Sequence, residues 1–289
     1  MVHRLKLAAK AGLFAASLVA DAAQAPSADV GSDAPETVAV AAAAFGYRLA
    51  GDFQEEGRTV DAPKETRSVA SFRIMKYQLT GAQYDSCVAE RACPARPKSQ
   101  SRAPRLPAVM LSFEDASAYA AWIGAKTGET WRLPTDEEWR AAAGTRARDD
   151  ATGLAKDADP SERWLAKYDA ESAEAKDEQR LRPIGGFGAN EQGLFDLSGN
   201  VWEWTDTCSV RYSIGPAGAQ PMTTNCGVRV VEGEHRTYIT DFIRDARAGG
   251  CAVGKPPANL GVRLVRGGRT ISGLIARIKT IFEGRVAWL

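Results

Sequence analysis

The chain has 289 residues, of which 44% are hydrophobic and 25% are charged, as in an ordinary globular protein. Roughly 260 residues remain after subtraction of a leader, which suits one large domain or two small ones. The formal net charge of +1 gives no bulk attraction to nucleic acid or to an acidic substrate, so neither class of partner is expected.

The first 25 residues have the features of a secretory signal peptide. Basic residues precede a short apolar run over residues 11–20, and small-x-small cleavage sites follow at residues 20–22 and 23–25. The first site is preferred because Pro26 directly follows the second. The alternative is an uncleaved anchor, but the run is shorter than the roughly 20 apolar residues that span a bilayer. The leader predicts a periplasmic or secreted protein whose mature chain has no transmembrane helix.

Three further segments follow the leader. Residues 26–44 are rich in Ala, Ser, Asp and Pro and are predicted to be a flexible linker. Regular structure is expected from near Phe45, in one domain over residues 45–268. The tail, residues 269–289, is amphipathic and basic, and three interpretations stay open: it docks a partner or a membrane surface, it packs on its own domain, or it is non-native sequence.

Alternation and capping signals predict the elements of the first half of the domain. They are a strand over residues 71–79, a helix capped by Thr80, a helix over residues 113–127 between Ser112 and Gly128, and a helix from Thr135 to Gly144. Glu138, three residues after Thr135, completes a capping box.

The second half of the domain has weaker signals. A polar stretch from Arg146 to Arg182 shows little regular pattern, and residues 183–204 are dense in Gly and Asn, which is typical of loops. Residues 228–231 and 262–265 are predicted to be short strands. Helices that come early and strands that come late indicate an α+β fold rather than alternating βαβ units.

Five cysteines bear on covalent structure, because export permits disulfides. Proximity in sequence predicts bridges Cys87–Cys93 and Cys208–Cys226, with Cys251 left as a free thiol. The rival connectivity joins Cys208 or Cys226 to Cys251.

Several phrases together resemble the formylglycine-generating-enzyme, or sulfatase-modifying-factor, family. They are FRIMKY from Phe72 with Thr80, PAV from Pro107, WRLPTDEEW from Trp131, NEQGLFD from Asn190, GNVWEWT from Gly199 and NLGVR from Asn259. The most specific are RLPT-x-x-EW and GNVWEWT. The resemblance covers residues 45–266 and implies the family's variant of the C-type-lectin-like fold, which has little regular secondary structure.

The resemblance breaks at the catalytic cysteines. The family's aerobic enzymes hold copper(I) between two cysteines five residues apart, and soft thiolates are the ligands that this ion requires. Residues 227–250, where the pair belongs, contain no cysteine, and the two positions fall near His235 and Thr240. The chain is therefore not expected to generate formylglycine by the copper route.

The resemblance still implies a pocket. Trp202 matches an active-site tryptophan of the family, and His235 and Arg244 lie in the segment that resembles its active-site wall. His235 is the natural acid–base candidate near neutral pH, and the alternative is a structural histidine.

A redox metal other than copper is weighed at the same segment. An iron site of the three-histidine type in a related sulfoxide synthase is excluded, because the chain has two histidines and His3 lies in the leader. A carboxylate-rich iron site of His235, Glu232, Glu234 and Asp245 stays open beside the alternative of a polar surface strand.

A structural calcium site is expected at residues 196–203. Two carboxylates bracket a glycine turn there, and calcium prefers a mixture of carboxylate and carbonyl oxygens. The resemblance assigns as ligands the Asp196 and Glu203 side chains and the carbonyls of Gly199 and Val201. The alternative is that both carboxylates only hydrogen-bond loop amides.

Three functions are carried forward. The first is an exported accessory or maturation factor for a periplasmic enzyme, since phrases from Asn225 and Arg244 resemble the accessory type encoded with copper nitrite reductase. The second is a periplasmic oxidoreductase that modifies a peptide, as in pyoverdine maturation. The third is a lectin-like binding module. The metal content of the purified protein would separate them best.

Overall fold

The computed structural model describes residues 34–97, 103–174, 181–197, 199–245 and 259–268. The predicted signal peptide, residues 26–33 of the predicted linker, Cys251 and the tail 269–289 lie outside these ranges. Among the described residues, no helix has both the length and the apolar character needed to cross a membrane.

The strands are β1 (Thr37–Val40), β2 (Ala43–Arg48), β3 (Asp52–Glu55), β4 (Arg58–Val60), β5 (Lys64–Val69), β6 (Phe72–Met75), β7 (Trp131–Arg132), β8 (Trp202–Gly215), β9 (Gly218–Glu232), β10 (Thr237–Thr240), β11 (Leu260–Gly261) and β12 (Val265–Arg266). The helices are α1 (Gly81–Ala89), α2 (Phe113–Thr127), α3 (Asp136–Ala143) and α4 (Pro160–Glu174). Long loops separate many of these elements, as the predicted α+β fold implies.

Local capping chemistry fixes the first three helices where the sequence predicts them. Thr80, Ser112 and Thr135 each accept a backbone N–H from the third helical residue, whose own side chain binds back to the cap. Gly128 ends α2 with a positive φ of 68°, a conformation that glycine adopts without steric cost. These predictions are confirmed.

The strands form three sheets within the described residues. One has the order β1-β6-β12-β7, a second runs β10-β9-β8-β3-β4 with β11 added beside β8, and β2 pairs with β5 alone. The middle of the second sheet is a long antiparallel hairpin of β8 and β9, closed by the turn between Gly215 and Gly218. Parallel pairing of Leu260 with Trp202 brings the end of the domain against the start of β8.

The buried core divides into three clusters. The largest packs α1 and α2 against β8, β9 and β11, and contains Trp202, Trp204 and Tyr119. A second surrounds Trp139 on α3, and a third lies between β2, β3 and β4. The second cluster holds α3, and the largest cluster holds the start of β8, where the candidate site lies.

Five sequence predictions need correction. Regular structure begins before Phe45, because residues 37–40 alternate as a strand and bury Val40 against β6. The strand predicted over 71–79 is shorter, ending at Met75. The strand predicted over 228–231 is the end of the much longer β9, and residues 262–264 separate β11 from β12.

The fifth correction is α4, in the stretch that shows little pattern. Its start has recognisable signals: Pro160 is the first helical residue, and the Asp159 carboxylate accepts the backbone N–H of Ser161 at 2.8 Å. The helix does not pack a strong apolar stripe against the core, since Trp164, Leu165 and Tyr168 stay exposed. Reading the start signals without requiring periodicity would have found it.

Both predicted disulfides are present. Cys87 and Cys93 link the end of α1 to the loop that follows, with Cα atoms 5.3 Å apart. Cys208 and Cys226 link β8 to β9 with Cα atoms 4.4 Å apart. The predicted pairing is confirmed.

Candidate functional site

The candidate site lies where β8 begins and β9 ends. A shallow depression there is lined by Gly199, Asn200, Val201, Trp202, Glu234 and Asn259. The pairing of β11 with β8 brings Asn259 to this place, and the turn after β9 brings Glu234. The depression combines an aromatic edge with two amides and one carboxylate.

Trp202, which lines the depression, contacts His235, which the sequence assigns to the same pocket. Their ring centroids are 4.5 Å apart in an edge-to-face arrangement. Trp202 is only 4% exposed, because its indole also packs in the main core. The absence of a side chain at Gly233 leaves room for the Trp202 indole, since a Cβ there would stand 3.2 Å from the indole carbons. Little of the Trp202 side chain is therefore accessible to a ligand.

The hydrogen bonding of His235 fixes its tautomer. Nδ1 lies 3.2 Å from the carbonyl oxygen of Arg236. Because a carbonyl only accepts, Nδ1 carries the proton, and in the neutral ring Nε2 carries the lone pair. Burial lowers the pKa of His235, which favours that neutral ring near neutral pH. His235 thus has the protonation state of a base, while its packing is that of a structural side chain.

A buried ionic cluster lies next along the chain, around Arg236. Its guanidinium donates to Asp136 at 2.8 Å and to Glu232 at 3.0 Å. Asp136 also accepts the hydroxyl of Tyr47, and Arg140 lies 3.5 Å from Glu232. The cluster ties α3 to β9 and to β2. No sequence signal marks this cluster, because its members come from three distant segments of the chain.

The two carboxyl groups of this cluster differ in protonation. Burial, followed by the charge of Asp136, raises the pKa of Glu232 well above its ordinary value. Burial also opposes ionisation of Asp136, but Arg236 and the Tyr47 hydroxyl outweigh it and lower the pKa of Asp136. Of the two, Asp136 therefore holds the negative charge more readily than Glu232.

Two other residues that the sequence predicts for the pocket wall or for an iron site, Arg244 and Glu232, do not line the depression. Arg244 binds the Asp115 carboxylate at 2.6 Å and the Ala95 carbonyl, near the start of α2, and does not line the depression. Glu232 is fully buried, so the surface-strand interpretation is wrong for it. Within the described ranges, no three His, Cys, Asp or Glu side chains are arranged to hold a metal ion.

The predicted calcium loop has protein donors on both of its carboxylates. Asp196 accepts the backbone N–H groups of Gly185 at 2.6 Å and Phe187 at 2.8 Å. Glu203 accepts the Nε and Nη2 groups of Arg263 at 3.0 Å each, and the indole N–H of Trp139 at 2.7 Å. Asp196 therefore hydrogen-bonds loop amides, as the alternative to calcium has it, whereas Glu203 is bound by side chains from other segments. Calcium at this loop stays an untested prediction.

A third side chain, Gln78, enters this loop and was missed by the sequence analysis. Its Nε2 lies 3.1 Å from the carbonyl oxygens of Asp196 and Gly199 and 3.0 Å from Glu203 Oε1. The Gly199 carbonyl and the Glu203 carboxylate, two of the predicted ligands, therefore converge on an amide nitrogen. No local signal marks Gln78, because its partners lie more than 100 positions away.

Comparison with known proteins places the chain in a family. Residues 22–267 match the family described as the sulfatase-modifying factor enzyme 1-like domain. The chain is similar to the inactive C-alpha-formylglycine-generating enzyme 2 of Bos taurus, at 30% identity over 182 residues that cover 58% of this chain and 58% of that protein. It is also similar to the formylglycine-generating enzyme of Streptomyces coelicolor, at 30% identity over 186 residues that cover 60% and 56%.

Among solved structures, PvdO from Pseudomonas aeruginosa has a TM-score of 0.52 at 19% identity, covering 82% of this chain and 96% of that one. At this identity the likeness concerns the fold, and it confirms the predicted α+β architecture. The matches cover less than two thirds of the length of the two curated relatives named above. The family match spans most of the chain, and the chain belongs to the formylglycine-generating-enzyme, or sulfatase-modifying-factor, family.

Proposed function

We propose that this protein is an exported accessory or maturation factor that binds a periplasmic client enzyme, and that it does not oxidise a cysteine to formylglycine by the copper route. A copper nitrite reductase is the client to test first, because of the accessory-type phrases from Asn225 and Arg244. The role is one of binding and positioning.

The observation that carries this proposal is the cysteine count. The chain has five cysteines, and two disulfides engage four of them, which leaves Cys251. The copper(I) route needs two thiolates on one ion. While both disulfides are intact, a single chain has one thiol to offer, so it cannot build that centre.

An exposed aromatic patch on α4 supports a binding role. The rings of Trp164 and Tyr168 stack with centroids 5.4 Å apart, and Trp164, Leu165 and Tyr168 are 53%, 49% and 40% exposed. Exposed aromatic clusters are typical of surfaces that contact another protein. Arg163, which binds Asp61 at 2.8 Å, fixes this helix to the loop after β4.

The first test is enzymatic. A sulfatase-type cysteine peptide is incubated with the purified protein, copper(I), oxygen and a reductant, and its mass is followed. We expect no change, with a catalytically competent formylglycine-generating enzyme as the positive control. Conversion to formylglycine would overturn the proposal. A stoichiometric redox metal in the purified protein would favour the oxidoreductase alternative instead.

The second test concerns the client. A copper nitrite reductase is produced in the same periplasm with and without this protein, and its copper content and activity are measured. We expect both to fall without the protein, and also with the double variant Trp164→Ala/Tyr168→Ala. Met222→Ala, which removes an apolar side chain that is 64% exposed on β9, serves as the control. Unchanged copper content in every case would rule out this client.

A further inference from the structure

We propose that the Gln78 amide and the Arg263 guanidinium take the place of a bound cation between Asp196 and Glu203, so that this loop is held together without calcium. The inference concerns how the fold is stabilised and does not depend on which client the protein serves. It follows from four features of the loop.

The first feature is a convergence of oxygens on one amide nitrogen. The carbonyls of Asp196 and Gly199 and the Glu203 carboxylate surround Gln78 Nε2 at 3.0–3.1 Å. Calcium takes such oxygens at about 2.3–2.6 Å, whereas N–H···O hydrogen bonds lie near 3 Å. The spacing is that of an amide donor, and Gln78, which is 1% exposed, fills the position.

The second feature is the charge balance. Arg263 binds both oxygens of Glu203 through Nε and Nη2. Its remaining N–H groups bind the carbonyls of Met75, Lys76 and Phe195 at 2.6–2.9 Å. All donors of the guanidinium are therefore used. The positive charge that Glu203 requires comes from the protein, so a cation would add charge to a carboxylate that is already neutralised.

The third feature is the orientation of Asp196. Its two carboxylate oxygens each accept a backbone N–H, from Gly185 and from Phe187. Its φ of 63° is uncommon for a residue other than glycine, and the hydrogen bonds from the two backbone N–H groups hold it there. The side chain thus fastens the 185–187 turn, while only the main-chain carbonyl of Asp196 faces Gln78.

The fourth feature shows that this arrangement is close to a cation site. Gln78 Oε1 is buried with no hydrogen-bond partner, so the amide is held by its nitrogen alone. Replacing that nitrogen by an oxygen would set a carboxylate against two carbonyls and Glu203. Such a set repels itself unless a cation enters, and it provides the mixture of oxygens that calcium prefers.

The experiment compares melting temperatures in EDTA and in millimolar calcium for the full chain and two variants. The wild type is expected to melt at the same temperature in both. Gln78→Glu is expected to melt roughly 5–10 °C lower in EDTA, and calcium should restore most of that loss. Gln192→Glu is the matched control, because Gln192 Nε2 donates to one carbonyl, that of Ala141, outside the oxygen cluster. We expect no calcium response from it.

Direct binding keeps the proposal testable if Gln78→Glu fails to fold. Calorimetric titration of EDTA-treated wild type with calcium should give no heat of binding, and elemental analysis should find less than about a tenth of a calcium ion per chain. One calcium per chain, or a higher wild-type melting temperature in calcium, would overturn the proposal. A folded Gln78→Glu variant indifferent to calcium would also overturn it.

Discussion

At the scale of single residues, Asp136 and Glu232 show how the core holds two acids close together. Arg236 donates to both of them. Asp136 Oδ1 and Glu232 Oε2 are buried, and neither has another partner. One proton on Glu232 that is shared with Asp136 gives both atoms a hydrogen bond, in agreement with the raised pKa of Glu232 and the lowered pKa of Asp136.

The first prediction concerns Glu232→Gln. Because the folded pKa of Glu232 is raised, its stabilising contribution is complete below the unfolded pKa of about 4.3 and is lost as the pH rises through the folded value. Glutamine donates to Asp136 at every pH. The melting temperature of the variant minus that of the wild type should therefore increase between about pH 5 and pH 9.

The control for this prediction is Glu234→Gln, a partly exposed neighbour in the turn after β9. Its melting temperature should follow the wild-type curve in parallel over the same pH range. Parallel curves for Glu232→Gln as well would show that Glu232 is not the protonated partner.

At the scale of elements, the helix caps also hold the family's most specific phrase in place. Thr135 caps α3, Glu138 closes the capping box, and the same Glu138 carboxylate forms a two-pronged ion pair with Arg132 at 2.6–2.7 Å. Trp139 then reaches Glu203. The RLPT-x-x-EW phrase and the GNVWEWT phrase thus meet in one hydrogen-bonded unit, and both serve the architecture.

The second prediction tests this unit through its cap. Thr135→Ala removes the acceptor for the Glu138 backbone N–H and should lower the free energy of unfolding by about 1 kcal/mol, measured by urea denaturation. Thr223→Ala, on the exposed half of β9, should change it by less than about 0.5 kcal/mol. Equal losses for the two variants would argue against a role for the cap.

Capping and sequence proximity are local, and this explains what could be predicted from the sequence. The bounds of α2 and both disulfides follow from residues near one another in the chain. The strand partners do not follow from such local signals, because β12 pairs with β6 and β7, which lie far earlier in the chain. The family resemblance assigned Trp202 and His235 to one pocket, but it did not predict that their rings contact each other. Gln78 was missed because its donors and acceptors only converge once the chain is folded.

At the scale of the whole molecule, the two disulfides fasten separate regions. One closes the loop after α1 beside the main core, and the other joins the two strands of the long hairpin. The smaller ring adds less in the chain-entropy account, and the ring with a sequence separation of 18 contributes about 3 kcal/mol. Both stabilise segments that have solvent on one side.

The third prediction is the chemical state of the five cysteines. Alkylation of the unfolded but unreduced protein, followed by peptide mapping, should label Cys251 alone. Reduction before alkylation should label all five. A peptide that links Cys251 to Cys208 or Cys226 would contradict this prediction, and it would also remove the cysteine count from the case against the copper route.

The position of β12 has a consequence for the chain during its synthesis and folding. This strand fills the gap between β6 and β7, and Arg263, just before it, neutralises Glu203. A nascent chain that ends before residue 260 therefore has one sheet open in the middle and a buried acid without its cation. Open strand edges and unpaired charge keep such a chain loose and vulnerable to aggregation and proteolysis. We therefore expect truncation before residue 260 to prevent stable folding, because the sheet would stay open and Glu203 would lack the Arg263 charge.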